Sequence, residues 1–199
     1  SVARIVDCLR LASDSVLGPA ERSTDDLKEV IGLGLNEALR QLHPECSGTQ
    51  IQAMADTYRY QYMQVNQTSS RLFHGVEDLL QRLEQQGYWL AVATGKSRRG
   101  LSRVLSTLGL SDFFHATRCA DETASKPDPL MLQQLLDQFG VSATEAVMVG
   151  DTEFDMEMAR RANVPRVAVS YGAHDIGRLK QYQPIACLDR FDEISNIIL

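Results

Sequence analysis

The chain has 199 residues, of which 44% are hydrophobic and 23% are charged, so it can build one sizeable core or a core with a small second domain. Its formal net charge of −6 argues against general nucleic-acid binding, which depends on basic surfaces. No apolar run approaches the ~20 residues of a membrane-spanning helix, so we expect no membrane partner.

The cysteines and histidines are dispersed along the chain. No Cys-x-x-Cys pair occurs, and the spacing therefore favours neither a disulfide framework nor a zinc site. Such cysteine usage is typical of the reducing cytoplasm, where we expect the protein to be located. The histidines are interpreted as structural or surface residues: His43, His74, His115 and His174. The sequence predicts no particular oligomeric state.

The first 70 residues predict helices and no strands. Apolar residues recur at nearly helical spacing over residues 1–18, and Gly18-Pro19 ends that helix. Further helices are predicted over residues 23–32, 34–42 and 49–64. Residues 1–70 are therefore predicted to form a small helical bundle.

From Leu72 onward, helix and strand patterns alternate. Helices are predicted near residues 76–86, 98–108, 128–139, 152–162 and 175–181, strands near 88–94, 114–118, 145–149, 166–170 and 185–188, and a last helix at the end. This alternation is typical of an α/β fold in which helices cover both faces of a parallel sheet. Residues 71–199 are the predicted core domain, and its ligands should bind at the carboxyl ends of the strands.

The strongest functional signal lies where the predicted strand 145–149 ends. The apolar run is followed by Gly150-Asp151, and Asp155 comes four residues later. Gly150 permits a sharp exit from the strand, and Asp151 falls where the N-cap of the next helix is expected. Asp155 lies about one turn further on the same face, and two converging carboxylates are typical of a Mg²⁺ site. The alternative interpretation is an N-cap aspartate followed by a solvated one.

Two earlier segments carry groups that suit a phosphate. Lys126 lies between Ser125 and Pro127-Asp128-Pro129, where the prolines restrain the loop before a helix expected near Asp128. The predicted strand 88–94 ends at Thr94-Gly95-Lys96-Ser97, whose hydroxyl and amides can hold a phosphate. A nucleotide-binding P-loop is excluded here, since that motif needs glycine at position 90, which is Leu90.

In chain order, Thr94, Lys126 and Gly150-Asp151 with Asp155 resemble motifs II, III and IV of the haloacid dehalogenase superfamily. The resemblance covers nearly the whole chain and is greatest to the phosphoglycolate phosphatase-like branch. It implies a Rossmannoid, three-layer core with a parallel sheet at residues 71–199 and a small all-helical cap domain at residues 1–70. Within that branch, residues 73–76 resemble the entry into the core and residues 31–39 a segment of the cap.

The resemblance also implies a first strand ending in Asp-x-Asp-Gly-Thr, whose first aspartate attacks phosphorus. The sequence instead opens with a helical pattern at Ser1-Val2-Ala3. We therefore expect the nucleophile to lie upstream of residue 1 and the chain alone to be inactive. Members of the superfamily place this strand between those ending here at Thr94 and Val149. We expect a gap of about 10 Å there, twice the ~4.8 Å spacing of paired strands.

The resemblance implies a Mg²⁺-dependent phosphatase of small phosphomonoesters that works through an aspartyl-phosphate. The resemblance implies that Asp151 and Asp155 bind the metal and that Thr94 and Lys126 are catalytic. Candidate substrate-binding residues are Gly95, Lys96 and Leu33, the last in a cap turn expected to reach the site. Three alternatives stay open: a phosphosugar mutase or a pyrophosphatase of the same superfamily, or a non-catalytic binding protein without a nucleophile.

Overall fold

The computed structural model describes residues 2–20, 22–66 and 71–198. Residues 2–66, here called the helical segment, contain four α-helices: α1 (Val2–Leu17), α2 (Thr24–Lys28), α3 (Leu35–Leu42) and α4 (Gly48–Tyr60). A π-helical turn, Gln61–Val65, continues α4. Helix α4 starts one residue before the predicted position, at Gly48, because Ser47 and Gln50 form a reciprocal capping box that satisfies its first amides.

The helical segment buries an apolar cluster of its own. Helix α1 packs lengthwise against α4, and α3 packs against the same helix. The fully buried members come from all four helices and their connections: Val6, Leu9, Ala12, Leu27, Val30, Ala38, Leu39, Ile51, Met54 and Ala55. Burying a side chain of this size contributes roughly 1.5–3 kcal/mol, so this cluster holds the bundle together.

Residues 71–198, here called the α/β segment, alternate helices and strands. The strands are β1 (Ala91–Thr94), β2 (Ala116–Cys119), β3 (Met148–Gly150), β4 (Arg166–Val169) and β5 (Ala186–Leu188). The helices are α5 (Val76–Gln85), α6 (Arg98–Leu108), α7 (Leu130–Phe139), α8 (Glu153–Arg161), α9 (Ile176–Leu179) and α10 (Ser195–Ile198). The predicted α/β fold is confirmed. Every predicted helix and strand of this segment is present, and each of the five strands is shorter than predicted.

The strands form two separate parallel sheets. Strand β1 pairs with β2 so that Ala91 lies opposite Ala116, while β4 pairs with β3 on one side and β5 on the other. Between the described strands there is no pairing of β1 with β3. The two strands on either side of the expected gap are therefore not hydrogen-bonded neighbours.

Two details differ from the sequence predictions or fall outside the structure. The N-cap of α8 is Thr152 and not Asp151. The Thr152 hydroxyl accepts from the Asp155 amide, and the Asp155 carboxylate accepts from the Thr152 amide. Asp151 thus stays free of a capping role. The predicted domain boundary at residue 70 lies in residues 67–70, outside the described residues. Across the part of the chain that is described, no helix is long and apolar enough to cross a membrane.

Candidate active site

The carboxyl ends of β1 and β3, with the loops that follow them, face the helical segment across one cavity. Its volume is about 440 Å³. All the candidate site residues line it: Leu33, Thr94, Gly95, Lys96, Lys126, Asp151 and Asp155. Residues separated by more than a hundred positions thus meet at one place, as the topology of a parallel sheet requires.

Asp155 is held by the first turn of α8. Its Oδ2 accepts from the Thr152 hydroxyl at 2.7 Å and from the Thr152 amide at 3.1 Å. The Thr152 hydroxyl oxygen accepts in turn from the Asp155 amide at 3.2 Å. Gly150 completes the fit, since a Cβ there would collide with the Asp155 side chain. The carboxylate therefore has a fixed direction.

Lys126 reaches this carboxylate from the loop between β2 and α7. Its Nζ donates to Asp155 Oδ1 at 2.5 Å, and the two side chains are 7% and 4% exposed. The peptide bond between Lys126 and Pro127 is cis. Both Asp155 oxygens are now occupied, one by Lys126 and one by Thr152. Asp155 is thus a group that positions Lys126.

Asp151 leaves β3 and turns toward the loop that follows β4. Its Oδ2 accepts from the Ala173 amide at 2.8 Å. Gly172 allows this approach, because a Cβ at that position would overlap the Asp151 carboxylate. Burial, and then the neighbouring Asp155 carboxylate, raise the pKa of Asp151, while the Ala173 amide and Lys126 oppose the rise. The Ala173 amide fixes the direction of the ionised Asp151 carboxylate, but nearby positive charge does not fully balance its negative charge.

These residues fit a Mg²⁺ ion by charge and by donor type. Asp151 and Asp155 carry two negative charges when ionised, and Lys126 supplies one positive charge. In the hydrogen bonds of the described residues, only one Asp151 oxygen is engaged, which leaves the other for a cation. Mg²⁺ binds carboxylate oxygens and commonly uses one or two of them, with water and phosphate oxygens completing the octahedron. Asp151 is the residue that would hold it directly.

The end of β1 offers hydrogen-bond donors to an anion. Thr94 Oγ1 accepts from the Lys96 amide at 3.1 Å, so its own proton remains available to a ligand. The chain then enters α6, whose N-cap Ser97 accepts from the Gly100 amide at 3.2 Å. The N-terminus of an α-helix favours negative charge. This side of the cavity therefore suits a phosphoryl group.

A turn of the helical segment, Gly32-Leu33-Gly34, contacts both sides of the site. The Gly34 amide donates to Ser125 Oγ at 2.7 Å, next to Lys126. The carbonyl groups of Gly32 and Leu33 approach Gly95 so closely that a Cβ at Gly95 would collide with them. The expectation that this turn reaches the site agrees with these contacts.

The structure adds two polar residues of the helical segment that sequence reasoning missed. Lys96 Nζ donates to the Tyr62 hydroxyl at 3.4 Å, across the cavity from the carboxylates. Asn36 lines the cavity, and its buried Oδ1 has no hydrogen-bond partner among the described residues. Neither belongs to a recognisable motif, because both are reached through helix packing. Lys96 was predicted, whereas its partner had no signal in the sequence.

Known proteins resemble the whole arrangement. The sequence model of the family "Haloacid dehalogenase-like hydrolase" matches residues 5–169. A phosphoglycolate phosphatase of Pectobacterium atrosepticum is 31% identical over 165 residues, which are 82% of this chain and 70% of that protein. The pyrophosphatase PpaX of Halalkalibacterium halodurans is 26% identical over 90% of this chain and 82% of its own length.

The fold is shared with solved structures. A hydrolase from Pseudomonas syringae superposes with a TM-score of 0.88, covering 98% of this chain and 90% of that one, at 22% sequence identity. The sequence match spans most of the helical segment and the part of the α/β segment that contains Thr94, Lys126 and Asp151. The chain therefore belongs to the haloacid dehalogenase-like hydrolases.

Proposed function

We propose that the protein is a Mg²⁺-dependent phosphatase of small phosphomonoesters of the phosphoglycolate type. One observation carries the proposal: a single cavity joins a phosphate-compatible strand end at Thr94 to a buried lysine and to a carboxylate with an unused oxygen. Among the relatives, a phosphoglycolate phosphatase supports the substrate class.

The side chains divide the work of phosphoryl transfer. The Thr94 hydroxyl and the Gly95 amide would donate to the non-bridging phosphoryl oxygens, where charge accumulates. Lys126, fixed by Asp155, would neutralise the repulsion between the phosphate and an attacking carboxylate. Mg²⁺ bound at Asp151 would supply further charge neutralisation and align the phosphate. The turn around Leu33 and the Tyr62–Lys96 contact would exclude water and select the leaving group.

The attacking carboxylate is proposed to come from a further parallel strand. Strands β1 and β3 each have an edge that no described strand pairs with, and they flank the site. A strand that pairs with both would place the residue at its own carboxyl end between Thr94 and Asp151. An aspartate there would form an aspartyl-phosphate, which water then hydrolyses.

The test is phosphate release from phosphoglycolate, other small phosphomonoesters and pyrophosphate, with and without Mg²⁺. Two proteins are compared: this chain, and a form extended at the N-terminus by a strand ending in Asp-x-Asp-Gly-Thr. Activity confined to the extended form, dependent on Mg²⁺ and lost in its Asp151→Asn variant, supports the proposal. A folded extended form that releases no phosphate from any ester contradicts it and favours a binding protein.

Pyrophosphate belongs in the panel because one relative is a pyrophosphatase. A preference for pyrophosphate over every monoester would replace the substrate class while keeping the same site residues. Thr94→Val should lower the rate about 10²–10³-fold through loss of one donor to the phosphoryl oxygens, whereas Thr94→Ser, which keeps the hydroxyl, should retain most of it. Equal loss in both would remove Thr94 from the proposed role.

A further inference from the structure

A tight turn at the far end of α3 brings a histidine, a glutamate and a cysteine together. Helix α3 ends at Leu42, and the turn His43-Pro44-Glu45-Cys46 leads to Ser47, the N-cap of α4. The Cys46 amide donates to the His43 carbonyl at 3.1 Å, which closes the turn. Proline at the second position favours such a turn because its φ is already fixed. The backbone thus holds His43 and Cys46 close to each other.

The hydrogen bonds of His43 define which ring nitrogen carries the proton. His43 is 1% exposed, and its Nε2 lies 2.8 Å from Ser13 Oγ. Ser13 has a single hydroxyl proton, which it donates to the Leu9 carbonyl at 2.9 Å. When the Ser13 hydroxyl donates to Leu9, its oxygen accepts from His43 Nε2, which favours the tautomer with hydrogen on Nε2. In that tautomer Nδ1 carries an unprotonated lone pair.

That lone pair has no hydrogen-bond partner in the described residues. Glu45 Oε1 lies 4.0 Å from it. A carboxylate is an acceptor only, so it cannot satisfy a second acceptor. Burial, and then Arg22, lower the pKa of His43. With hydrogen on Nε2, the Nδ1 lone pair and the Glu45 carboxylate are both available to a cation placed between them.

We propose that His43, Glu45 and Cys46 form a binding site for a thiophilic divalent cation of the Zn²⁺ class. One atom from each residue, the Nδ1, a carboxylate oxygen and the Sγ, lies within 4.8 Å of the other two. Tetrahedral zinc with these donors needs ligand–ligand distances of roughly 3.3–3.7 Å, so the site closes with shifts of about 1 Å. Cys46 is a free thiol that would lose its proton to solvent on binding.

The site differs in chemistry from the candidate active site. Nitrogen and sulfur donors favour zinc, whereas the oxygen donors of Asp151 favour magnesium. Glu45 is 66% exposed in its side chain, which leaves room for water as a fourth ligand. A bound cation would join the end of α3 to the start of α4, and through Ser13 it would be tied to α1. Its effect would be to stabilise the helical segment, independently of the proposed phosphatase activity.

The cysteine spacing alone predicts no zinc site, and this proposal departs from that prediction for a structural reason. A search for Cys-x-x-Cys cannot detect ligands of mixed type in one turn. The decisive contact, Ser13 with His43, also joins residues thirty positions apart.

The test is Zn²⁺ titration of the metal-free chain by calorimetry, with Co²⁺ substitution followed by absorption spectroscopy. We expect one Zn²⁺ per chain, a thiolate-to-cobalt charge-transfer band and a rise in the thermal midpoint when Zn²⁺ is added. Cys46→Ser should weaken Zn²⁺ binding at least ~10-fold and abolish the band. Cys187→Ser, which removes an exposed thiol elsewhere, should change neither.

Two further variants separate the proposal from its rivals. Glu45→Gln changes an exposed side chain and should keep the fold. It should weaken Zn²⁺ binding without removing the thiolate-to-cobalt charge-transfer band. Asp151→Asn should leave Zn²⁺ binding unchanged. Zinc bound equally well by the Cys46→Ser variant, or lost in Asp151→Asn, would overturn the assignment. Absence of Zn²⁺ binding by the unsubstituted chain would overturn it as well.

Discussion

The two sheets present opposite chemistry to one cavity. The strand end of the β1–β2 sheet carries a hydroxyl, backbone amides and a lysine, which are donors, and the loop after β2 carries a second lysine. The strand end of the β3–β4–β5 sheet carries two carboxylates. No strand pairing joins the two sheets in the described residues, whereas Lys126 and Asp155 join them by a buried ion pair.

The two sides of the cavity therefore differ in how their charge depends on pH. Apart from its two lysines, the donor side is built from main-chain groups and a short hydroxyl, which do not change charge near neutral pH. The acceptor side is built from buried carboxylates, whose charge must be balanced by Lys126 or by a cation. Most of the folding cost of the site should therefore lie on the β3 side.

The largest effect should come from removing the charge that joins the two sheets. Lys126→Met leaves the Asp155 carboxylate buried without a charged partner, which should cost about 3–5 kcal/mol of unfolding free energy. Urea unfolding measures this. Adding Asp155→Asn to the same protein should recover part of the loss, because the amide oxygen still accepts from Thr152. Arg161→Met, at an exposed ion pair with Glu157, should cost ~0–1 kcal/mol. Similar losses in both single variants would contradict a buried pair.

The next effect concerns the space reserved for Asp151. Gly172→Ala places a methyl group against the Asp151 carboxylate and should cost about 1–3 kcal/mol of stability through overpacking. In the N-terminally extended form, the proposed Mg²⁺-dependent activity should need a ~10–100-fold higher Mg²⁺ concentration to reach half its maximum. Gly48→Ala is the matched control, since nothing lies within 4 Å of the added carbon. Unchanged Mg²⁺ dependence in Gly172→Ala would show that Asp151 does not need its present position.

A smaller effect, with a definite pH dependence, should follow from Asp151→Asn in metal-free buffer. Burial raises the pKa of Asp151, so the folded state favours the protonated acid. The resulting stability is present below the unfolded pKa, roughly 3.9, and is lost as the pH rises through the raised, folded-state pKa. The amide cannot ionise and keeps an acceptor for Ala173. The variant should therefore be more stable than the parent at neutral pH and equal to it in acid.

Thermal unfolding over a pH series, with and without Mg²⁺, measures this difference. The parent should gain stability from Mg²⁺ at neutral pH, and the variant should not. If the variant is less stable than the metal-free parent at neutral pH, the surroundings do not destabilise the ionised Asp151 carboxylate, and the prediction is wrong.

The smallest effect should appear on the helical side of the cavity. Leu33→Ala should change the preference between phosphate esters ~10-fold or more, while the rate with a generic aryl phosphate changes less. The reason is that Leu33 lines the cavity from the side of the helical segment. Leu17→Ala, at the exposed end of α1, is the control. Equal changes for every ester would indicate a structural role for Leu33.

The site was predictable to the extent that it depends on strand ends. Thr94 ends a strand, Asp151 directly follows one and Lys126 lies in the loop after another. The rule that ligands bind at the carboxyl ends of parallel strands predicts that these residues meet. The capping of α8 was open to prediction as well. Thr152 and Asp155 have the spacing of a capping box, which is a better N-cap signal than Asp151 alone.

What the sequence could not predict depends on the packing of one segment on another. Asn36 and Tyr62 enter the cavity because the bundle presents one particular face, and no local pattern specifies that face. Gly172 is similar: its need for a missing Cβ arises from Asp151, twenty-one positions earlier. Such contacts depend on relative placement, which periodicity and motifs do not contain.

Because of the π-helical turn at Gln61–Val65, the number of residues in this part of the chain determines which side chains face the cavity. A π turn holds one more residue than an α turn. Deleting a residue ahead of Tyr62 would let α4 continue regularly and rotate that ring by about 100° away from Lys96. Related sequences that keep the Tyr62–Lys96 contact should therefore tolerate substitutions in this turn and not deletions. A deletion of one residue in this turn should therefore disturb the Tyr62–Lys96 contact more than a substitution at a neighbouring position.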